Sequence, residues 1–314
     1  MSSQAESALS LVQGREDSQA KVNSISPPPE PLDIPVPDAS LIIRSSDLVN
    51  FRVHKSVLAM ASPIFGDLLS LPQPSDSEFI DGLPVVQLSE DAELLNSLVS
   101  VLYPVRRAIP DSYDKVLYLL AACQKYDMVQ VQSYIRTEVD RESFPGPVGT
   151  EVFRAYAIAS GKGLIPEMEK AARLTLEHPM TFETLGDSLR FFDGSALREL
   201  ARFRMRCRDN LVTVCLSFQV SPAATSRCSS CYGYSVQWDP NCLQQILSRN
   251  DDSKKQEFMS PLTPSNICGD YAKARQSCYK CKSCGWVLGI NDSTPNAELK
   301  SKLAQALDKV HIFL

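Results

Sequence analysis

The sequence predicts an α+β fold, a short β-sheet covered by α-helices, followed by a mainly α-helical region and a cysteine-containing C-terminal segment. Three observations predict this order. Two stretches of alternating hydrophobicity, near Leu41 and Phe51, flank a polar turn, which is typical of paired, half-buried strands. Apolar residues then recur at helical spacing as far as Leu216. Beyond Pro222 the composition shifts to Ser, Cys, Gln and Gly.

The first unit is predicted to hold three strands and five helices. The strands are expected at residues 41–43, 51–53 and 85–88. A short helix follows the second strand. The next helix begins at Pro63, because Ser62 supplies a capping hydroxyl and proline is well tolerated at the first helical position. The third helix has an acidic first turn that includes Glu90, and it ends at Pro104. Two further helices form an antiparallel hairpin across residues 125–127.

The second half of the chain is predicted to be helical up to the cysteine-containing segment. The periodicity predicts helices near residues 150–160, 166–176, 182–192 and 195–216. Ser195 is the expected cap of the longest of these helices. One more amphipathic helix closes the sequence, with its apolar side formed by Leu299, Leu303, Leu307 and Val310.

Composition divides the chain into four predicted segments. Residues 1–37 form a Pro- and Ser-rich leader that we expect to be disordered, because it has too little apolar surface to offset its ordering entropy. Residues 38–142 form the α+β unit. A Phe-Pro-Gly-Pro break separates it from a helical extension at residues 147–220. Residues 221–314 form the cysteine-containing C-terminal region that ends in a helix.

Overall composition excludes several classes of protein. The chain has 314 residues, 44% of them hydrophobic and 22% charged, as is usual for globular proteins. Its net charge of −5 argues against nucleic acid as the main partner, because nucleic-acid-binding surfaces are usually basic. Neither an apolar run of about 18 residues nor an N-terminal export signal occurs in the sequence. We therefore expect an intracellular protein, cytoplasmic or nuclear, with no membrane partner.

Residues 38–65 are the most informative stretch. An aspartate is followed by F-x-V-H-K, x-V-L-A and S-x-x-F at fixed separations. This order resembles the opening of the BTB/POZ domain, a protein-interaction fold. The segment at 119–126 is similar to the helix that closes the same domain, so the resemblance covers about residues 38–142. The resemblance assigns structural signature roles to Asp38, Phe51, His54, Leu58, Ser62 and Phe65. Over its whole length the chain is similar to the large set of fungal BTB proteins with a helical extension and a cysteine-containing tail.

The resemblance implies a non-enzymatic protein-protein interaction module that associates with itself or with another BTB protein. We expect the His54 ring to be buried and to bond the backbone, and no catalytic residue is assigned, because the sequence shows no nucleophile or paired carboxylate motif. For Asp38 two interpretations stay open: a position close to the dimer contact, or a carboxylate in a turn. Pro31, Pro35 and Pro37 would interrupt the strand that the best-known dimers of the family exchange, so a fully swapped dimer is not expected.

Two alternative functions stay open. The first is a substrate adaptor of a cullin-type ubiquitin ligase. Cullin-binding relatives carry a hydrophobic residue, any residue and an acid after the S-x-x-F helix, whereas this chain has Leu71, Pro72 and Gln73, so the motif is not matched. The second is a transcription or chromatin regulator with a zinc-organised tail. A few basic residues near Lys280 would suit it, although no sustained basic stripe accompanies them.

The C-terminal cysteines predict a candidate metal site. Cys228 and Cys231 form one C-x-x-C pair, and Cys281 and Cys284 form another, with Cys278 as the reserve ligand. Two such pairs can hold one structural zinc ion in tetrahedral coordination, although their separation exceeds the roughly 15 to 20 residues of common modules. The alternative is a set of reduced thiols. Buried thiols of that kind are predicted on helical faces at Cys123, Cys207 and Cys215.

Overall fold

The computed structural model describes residues 36–71, 78–103, 109–141, 144–217, 236–238, 261–268, 271, 279–281 and 297–312. The strands are β1 Leu41–Arg44, β2 Asn50–Val53, β3 Phe79–Ile80, β4 Leu83–Gln87, β5 Val236–Trp238 and β6 Tyr279–Cys281. The helices are α1 Lys55–Ala61, α2 Pro63–Ser70, α3 Ala92–Leu102, α4 Tyr113–Lys125, α5 Val129–Val139, α6 Glu151–Gly161, α7 Ile165–Leu174, α8 Phe182–Leu185, α9 Gly194–Ser217 and α10 Ala297–Asp308. The predicted α+β class is confirmed.

The main sheet is mixed and has the strand order β2-β1-β4-β3. Strand β1 pairs antiparallel with β2 and parallel with β4, so that Ile42 lies opposite both Arg52 and Val85. Leu41, Ile42 and Ile43 are all buried, as expected of a central strand that is covered on both faces. Leu41 and Ile43 share one hydrophobic cluster with buried residues of the first five helices.

Strand β3 is absent from the sequence prediction. It pairs antiparallel with β4 across Asp81 and Gly82, which have φ values of 52° and 76°. Positive φ at both central residues is the geometry of a tight hairpin turn, and an Asp-Gly pair favours it. The Asp81-Gly82 pair is therefore the sequence signal of this hairpin, in a stretch for which no strand is predicted before residue 85.

Two helical hairpins repeat the same turn 36 positions apart. In the first, Tyr126 is the C-cap of α4, Asp127 has a φ of 51°, and the Met128 amide donates to the Cys123 carbonyl at 2.8 Å. In the second, Lys162 is the C-cap of α6, Gly163 has a φ of 67°, and the Leu164 amide donates to the Ala159 carbonyl at 2.9 Å. Both turns are Schellman motifs with a buried apolar residue after the left-handed position. The predicted α4–α5 hairpin is confirmed, and α6–α7 continues it.

Ion pairs join the two hairpins. Arg154 of α6 contacts Asp114 of α4 at 2.6 Å, and Arg136 of α5 donates to the buried Glu167 of α7 at 2.7 Å. Apolar packing accompanies these pairs, because nearly every residue of α6 from Val152 to Ala159 is buried. The helical extension is therefore packed directly on the helices that close the α+β unit.

The structure differs from the sequence prediction at two places in the extension. The helix predicted at 182–192 is α8 followed by a 3₁₀ segment, Gly186–Phe191, because Gly186 has a φ of 40° and interrupts the α-helix. The cap of α9 is Asp193 and not Ser195. The Asp193 carboxylate accepts the Ala196 amide at 2.6 Å, and Ser195 donates its hydroxyl to the same carboxylate.

The predicted C-terminal helix is confirmed as α10, which packs on α9. Leu299 and Leu303 are buried in this contact. Two arginines bind carbonyl groups in the last turn of the helix and just beyond it. Arg173 of α7 donates to Leu307, Asp308 and Val310, and Arg206 of α9 donates to His311 and Ile312. Cationic side chains at this position complement the negative end of a helix dipole.

One hydrophobic cluster runs through the part of the chain that the structure describes, from Leu41 in the sheet to Ile312 beyond α10. Residues 261–268 join it too, because the Leu262 amide donates to the Leu176 carbonyl at 2.7 Å and Leu262 and Cys268 are buried. Within the described ranges, no helix is both long and apolar enough to cross a membrane.

Candidate functional site

One exposed apolar face of the α+β unit lies on α1 and α2. Ile64, Leu68 and Leu71 follow each other at spacings of four and three residues along α2 and its C-cap, so they share one side of the helix. Their exposed fractions are 44%, 43% and 64%, and Met60 near the end of α1 is 84% exposed. We call these four residues the α2 face. Exposed apolar side chains that share one side of a helix can form a binding surface.

Ser62 and Phe65 hold α2 against the end of α4. The fully buried Ser62 hydroxyl accepts the Phe65 amide at 3.0 Å and donates to the Tyr126 carbonyl, so one side chain caps α2 and ties it to the end of α4. The Phe65 ring is buried and stacks on Tyr126 with 4.6 Å between ring centroids. These two signature residues therefore hold the α2 face at a defined angle to the helices behind it.

Glu90 binds the same end of α4 that Ser62 and Phe65 contact. Its carboxylate accepts hydrogen bonds from Lys125 at 2.7 Å and from the Tyr126 hydroxyl at 2.6 Å. Burial alone would raise the pKa of Glu90, but the bonds from Lys125 and Tyr126 outweigh it and lower that pKa. The ionised network therefore contributes stability above the ordinary carboxyl range, which is lost as the pH falls through the lowered pKa.

The sequence pattern predicts Glu90 in the first turn of α3, whereas the structure places it one residue before the capping Asp91, whose carboxylate accepts the Leu94 amide. Its true partners lie 35 and 36 positions further along the chain. No local spacing signals a contact over such a distance.

His54 connects the sheet to the start of the described chain. Its Nε2 lies 3.1 Å from the Pro37 carbonyl oxygen, and its Nδ1 lies 3.1 Å from the Tyr103 hydroxyl, which also accepts the His54 amide at 2.8 Å. The predicted bond to the backbone is present. The expectation of a buried ring is wrong, because His54 is half-buried where it reaches the surface segment at Pro37.

The remaining signature residues have simple positions. Phe51 of β2 and Leu58 of α1 are buried in the main core. Asp38 is exposed and has a φ of 61° in a turn before β1. An aspartate tolerates this left-handed conformation better than most residues, which agrees with the turn interpretation.

Four cysteines of the described chain are buried thiols. Burial raises the pKa of Cys123 and of Cys215 to about 12, and that of Cys207 to about 11. Thiolates bind metals, so burial of this kind disfavours metal binding. The prediction that these three are buried, reduced thiols is confirmed, and Cys268 joins them.

The predicted zinc ligands fall mostly outside the described residues. Cys228, Cys231, Cys278 and Cys284 lie there, and Cys281 belongs to β6. Strand β6 pairs antiparallel with β5, with Cys281 opposite Val236. Among the described residues, no group of three or more His, Cys, Asp or Glu side chains could hold a metal ion.

Comparison with known proteins adds three findings. A family model described as the BTB/POZ domain matches residues 37–143, which include the main sheet and helices α1 to α5. The BTB domain of zebrafish PATZ1 is a similar solved structure, with 17% sequence identity and a TM-score of 0.25. The similarity covers 32% of this chain and 75% of that chain. No curated protein matches the chain.

Proposed function

Since this chain is a BTB domain-containing protein, and the BTB/POZ domain is a protein-protein interaction module, we propose that it acts without catalysis by binding proteins through the α2 face. The partner is a second copy of this chain or another BTB chain. The observation that carries the proposal is the exposed apolar side of Ile64, Leu68 and Leu71. Burying it against an equal face would remove apolar surface from water, which is favourable.

The geometry of the face supports self-association. A twofold dimer uses the same patch on both copies, so a patch with little charge is self-complementary by composition. A stable interface buries on the order of 1,200 Å² or more in total, so residues around the α2 face would have to take part. Met60, the most exposed of the four, extends the face from α2 onto α1.

A double variant, Met60→Glu with Leu68→Glu, is expected to weaken association at least about tenfold, because it places charges at the centre of the apolar contact. Sedimentation velocity of the full chain over a concentration series measures this. Both positions are exposed, so circular dichroism and thermal unfolding should change little.

The control is Phe182→Glu, which adds an acid at another exposed apolar position, 75% exposed, on the helical extension. It should leave association unchanged. Equal weakening by Phe182→Glu and by the double variant, or no effect of either, would contradict the α2 face as the interface.

A cullin adaptor role is the alternative within binding functions. Leu71 is exposed and supplies the hydrophobic first position of the adaptor motif, but Gln73 stands in place of the acid. Affinity purification of the full chain from its native cells, read by mass spectrometry, separates the two roles. Recovery of a cullin that depends on Leu71 would favour the adaptor. Recovery of BTB chains alone would favour the association module. A salt-dependent affinity for DNA would favour the transcription or chromatin regulator instead.

For the C-terminal segment we propose one structural zinc ion, ligated by Cys228, Cys231, Cys281 and Cys284, with Cys278 in reserve. The pairing of β5 with β6 supports this, because β5 starts five residues after Cys231 and lies beside the strand that contains Cys281. The order of the two pairs and the two strands therefore suits a site that closes a long loop.

Zinc removal tests this site. Protein purified without added metal should contain about one equivalent of zinc. A chelator should increase proteolysis within residues 228–290 without changing the unfolding of the α+β unit, because structural zinc binding is coupled to folding. Cys231→Ser should lose the metal, whereas Cys268→Ser, at a buried thiol, should retain it. Less than about a tenth of an equivalent in the parent chain would rule the site out.

A further inference from the structure

A groove lies between the α+β unit and the helical extension. No residue of α1 or α2, which carry the α2 face, lines it. It has a volume of about 430 Å³, within the range of ligand pockets, and it lies between α3, α4 and the end of α6. Its apolar lining comes from Leu94, Tyr118 and Ala121. A smaller hollow of about 160 Å³ shares Leu94 and Tyr118 with it, so the depression continues along α3 and α4.

Three lysines line this depression, and they differ in their partners. Lys115 is paired with Glu93 at 2.6 Å, and Lys125 is paired with Glu90 at 2.7 Å. Lys162 is exposed, and its ammonium group lies 5.3 Å from the centroid of the Tyr118 ring. Within the part of the chain that the structure describes, no carboxylate pairs with Lys162. Asp91 also lines the smaller hollow, where its carboxylate accepts the Leu94 amide. In the larger groove, Lys125 is balanced by Glu90, and Lys162 is the available cation at the rim.

Two glycines shape the rim. Gly163, with a φ of 67°, makes the turn that follows Lys162, the C-cap of α6, and the Lys162 ammonium group lies over Tyr118 of α4. Gly161 lines the groove, and a Cβ atom built on it would meet no atom within 4 Å. The space beside Gly161 is therefore part of the opening, and a side chain at this position would fill it without disturbing the backbone.

We propose that this groove binds a short acidic segment of a partner protein, in which an aliphatic side chain stands next to an Asp or Glu. The aliphatic side chain would lie on Leu94 and Ala121, and the carboxylate would pair with Lys162 above the Tyr118 ring. The charge of Lys162 selects an anion, and the apolar floor selects a peptide over a small inorganic anion. Because Tyr118 belongs to the α+β unit and Lys162 to the extension, the site exists only where the two are packed together.

The test uses the full chain and a fluorescein-labelled peptide of sequence Ser-Leu-Glu-Asp-Leu-Ser, with Ser-Leu-Gln-Asn-Leu-Ser as the uncharged twin. Fluorescence anisotropy should show saturable binding of the acidic peptide, weakened at high salt, and binding of the twin about tenfold weaker. Lys162→Glu should weaken binding of the acidic peptide about tenfold. Lys309→Glu, the same charge change at another exposed lysine, should leave it unchanged.

Gly161→Gln tests the groove itself. Gly161 has no left-handed backbone, so a residue with high helix propensity should fold at least as well there while its side chain blocks the opening. We expect loss of peptide binding with an unchanged or raised unfolding midpoint. Self-association through the α2 face should not change, which separates this site from the proposed function.

Three results would overturn the proposal. The first is no binding at peptide concentrations of about 1 mM. The second is equal binding of the acidic peptide and its twin, or binding that survives Gly161→Gln. The third is binding that appears only after residues 1–35 are removed, because the leader of this chain would then be the occupant and not a partner protein.

Discussion

Replacing Leu303 by Asp is expected to lower the free energy of unfolding by about 3 kcal/mol or more and to release α10 from α9. Leu303 is fully buried in that contact, and burial of an unpaired carboxylate is among the most destabilising single changes. Urea denaturation of the full chain measures the loss. Limited proteolysis should show new cleavage between residues 281 and 312.

Ala304 provides the matched control, because it is the next residue of α10 and is exposed. Ala304→Asp introduces the same side chain and should cost less than about 1 kcal/mol, mainly through helix propensity. If the two variants unfolded at the same urea concentration, the packing of α10 on α9 would be wrong.

Replacing Phe65 by Ala is expected to destabilise the α+β unit by about 3 to 5 kcal/mol. The ring is 2% exposed and stacks on Tyr126, so its removal leaves a cavity between α2 and the end of α4. Thermal and urea unfolding report the loss of stability. Association should fall as well, because α2 would lose the support that positions its exposed face.

Ile64→Ala is the control for this change. Ile64 is the neighbouring residue of α2 and is 44% exposed, so it should lower stability by less than about 1 kcal/mol while weakening association. If Phe65→Ala and Ile64→Ala each lowered stability and association in the same proportion, the loss of association would be explained by the loss of folded protein. That outcome would remove the argument for a specific apolar face.

The opening of the α+β unit could be predicted because its signals are local. Ser62 and Pro63 predict the start of α2 from their capping chemistry, and the observed cap is the Ser62 hydroxyl. The hairpin of α4 and α5 follows from helical periodicity interrupted at residues 125–127. These features need no knowledge of distant parts of the chain.

What escaped prediction depends on long-range contacts or on backbone conformation. The partners of Glu90, Lys125 and Tyr126, lie on a different helix and far along the chain, so the spacing of residues in the sequence does not predict their hydrogen bonds. The groove beside Lys162 arises from the stacking of α6 on α4, which the sequence leaves open. The interruption at Gly186 follows from a left-handed backbone that a glycine permits but does not require.

The arginine contacts to the end of α10 have a kinetic consequence. Arg173 reaches the Leu307 carbonyl across 134 positions of sequence, whereas α4 to α7 pack on near neighbours along the chain. Contacts that close short loops form early, and those that close long loops form late. We therefore expect the apolar stripe of α9 at Cys207, Leu211 and Cys215, which is buried in the folded chain, to stay uncovered until the C-terminal residues pack. Apolar surface that is exposed during folding favours aggregation, so truncation before α10 is expected to lower the yield of folded protein.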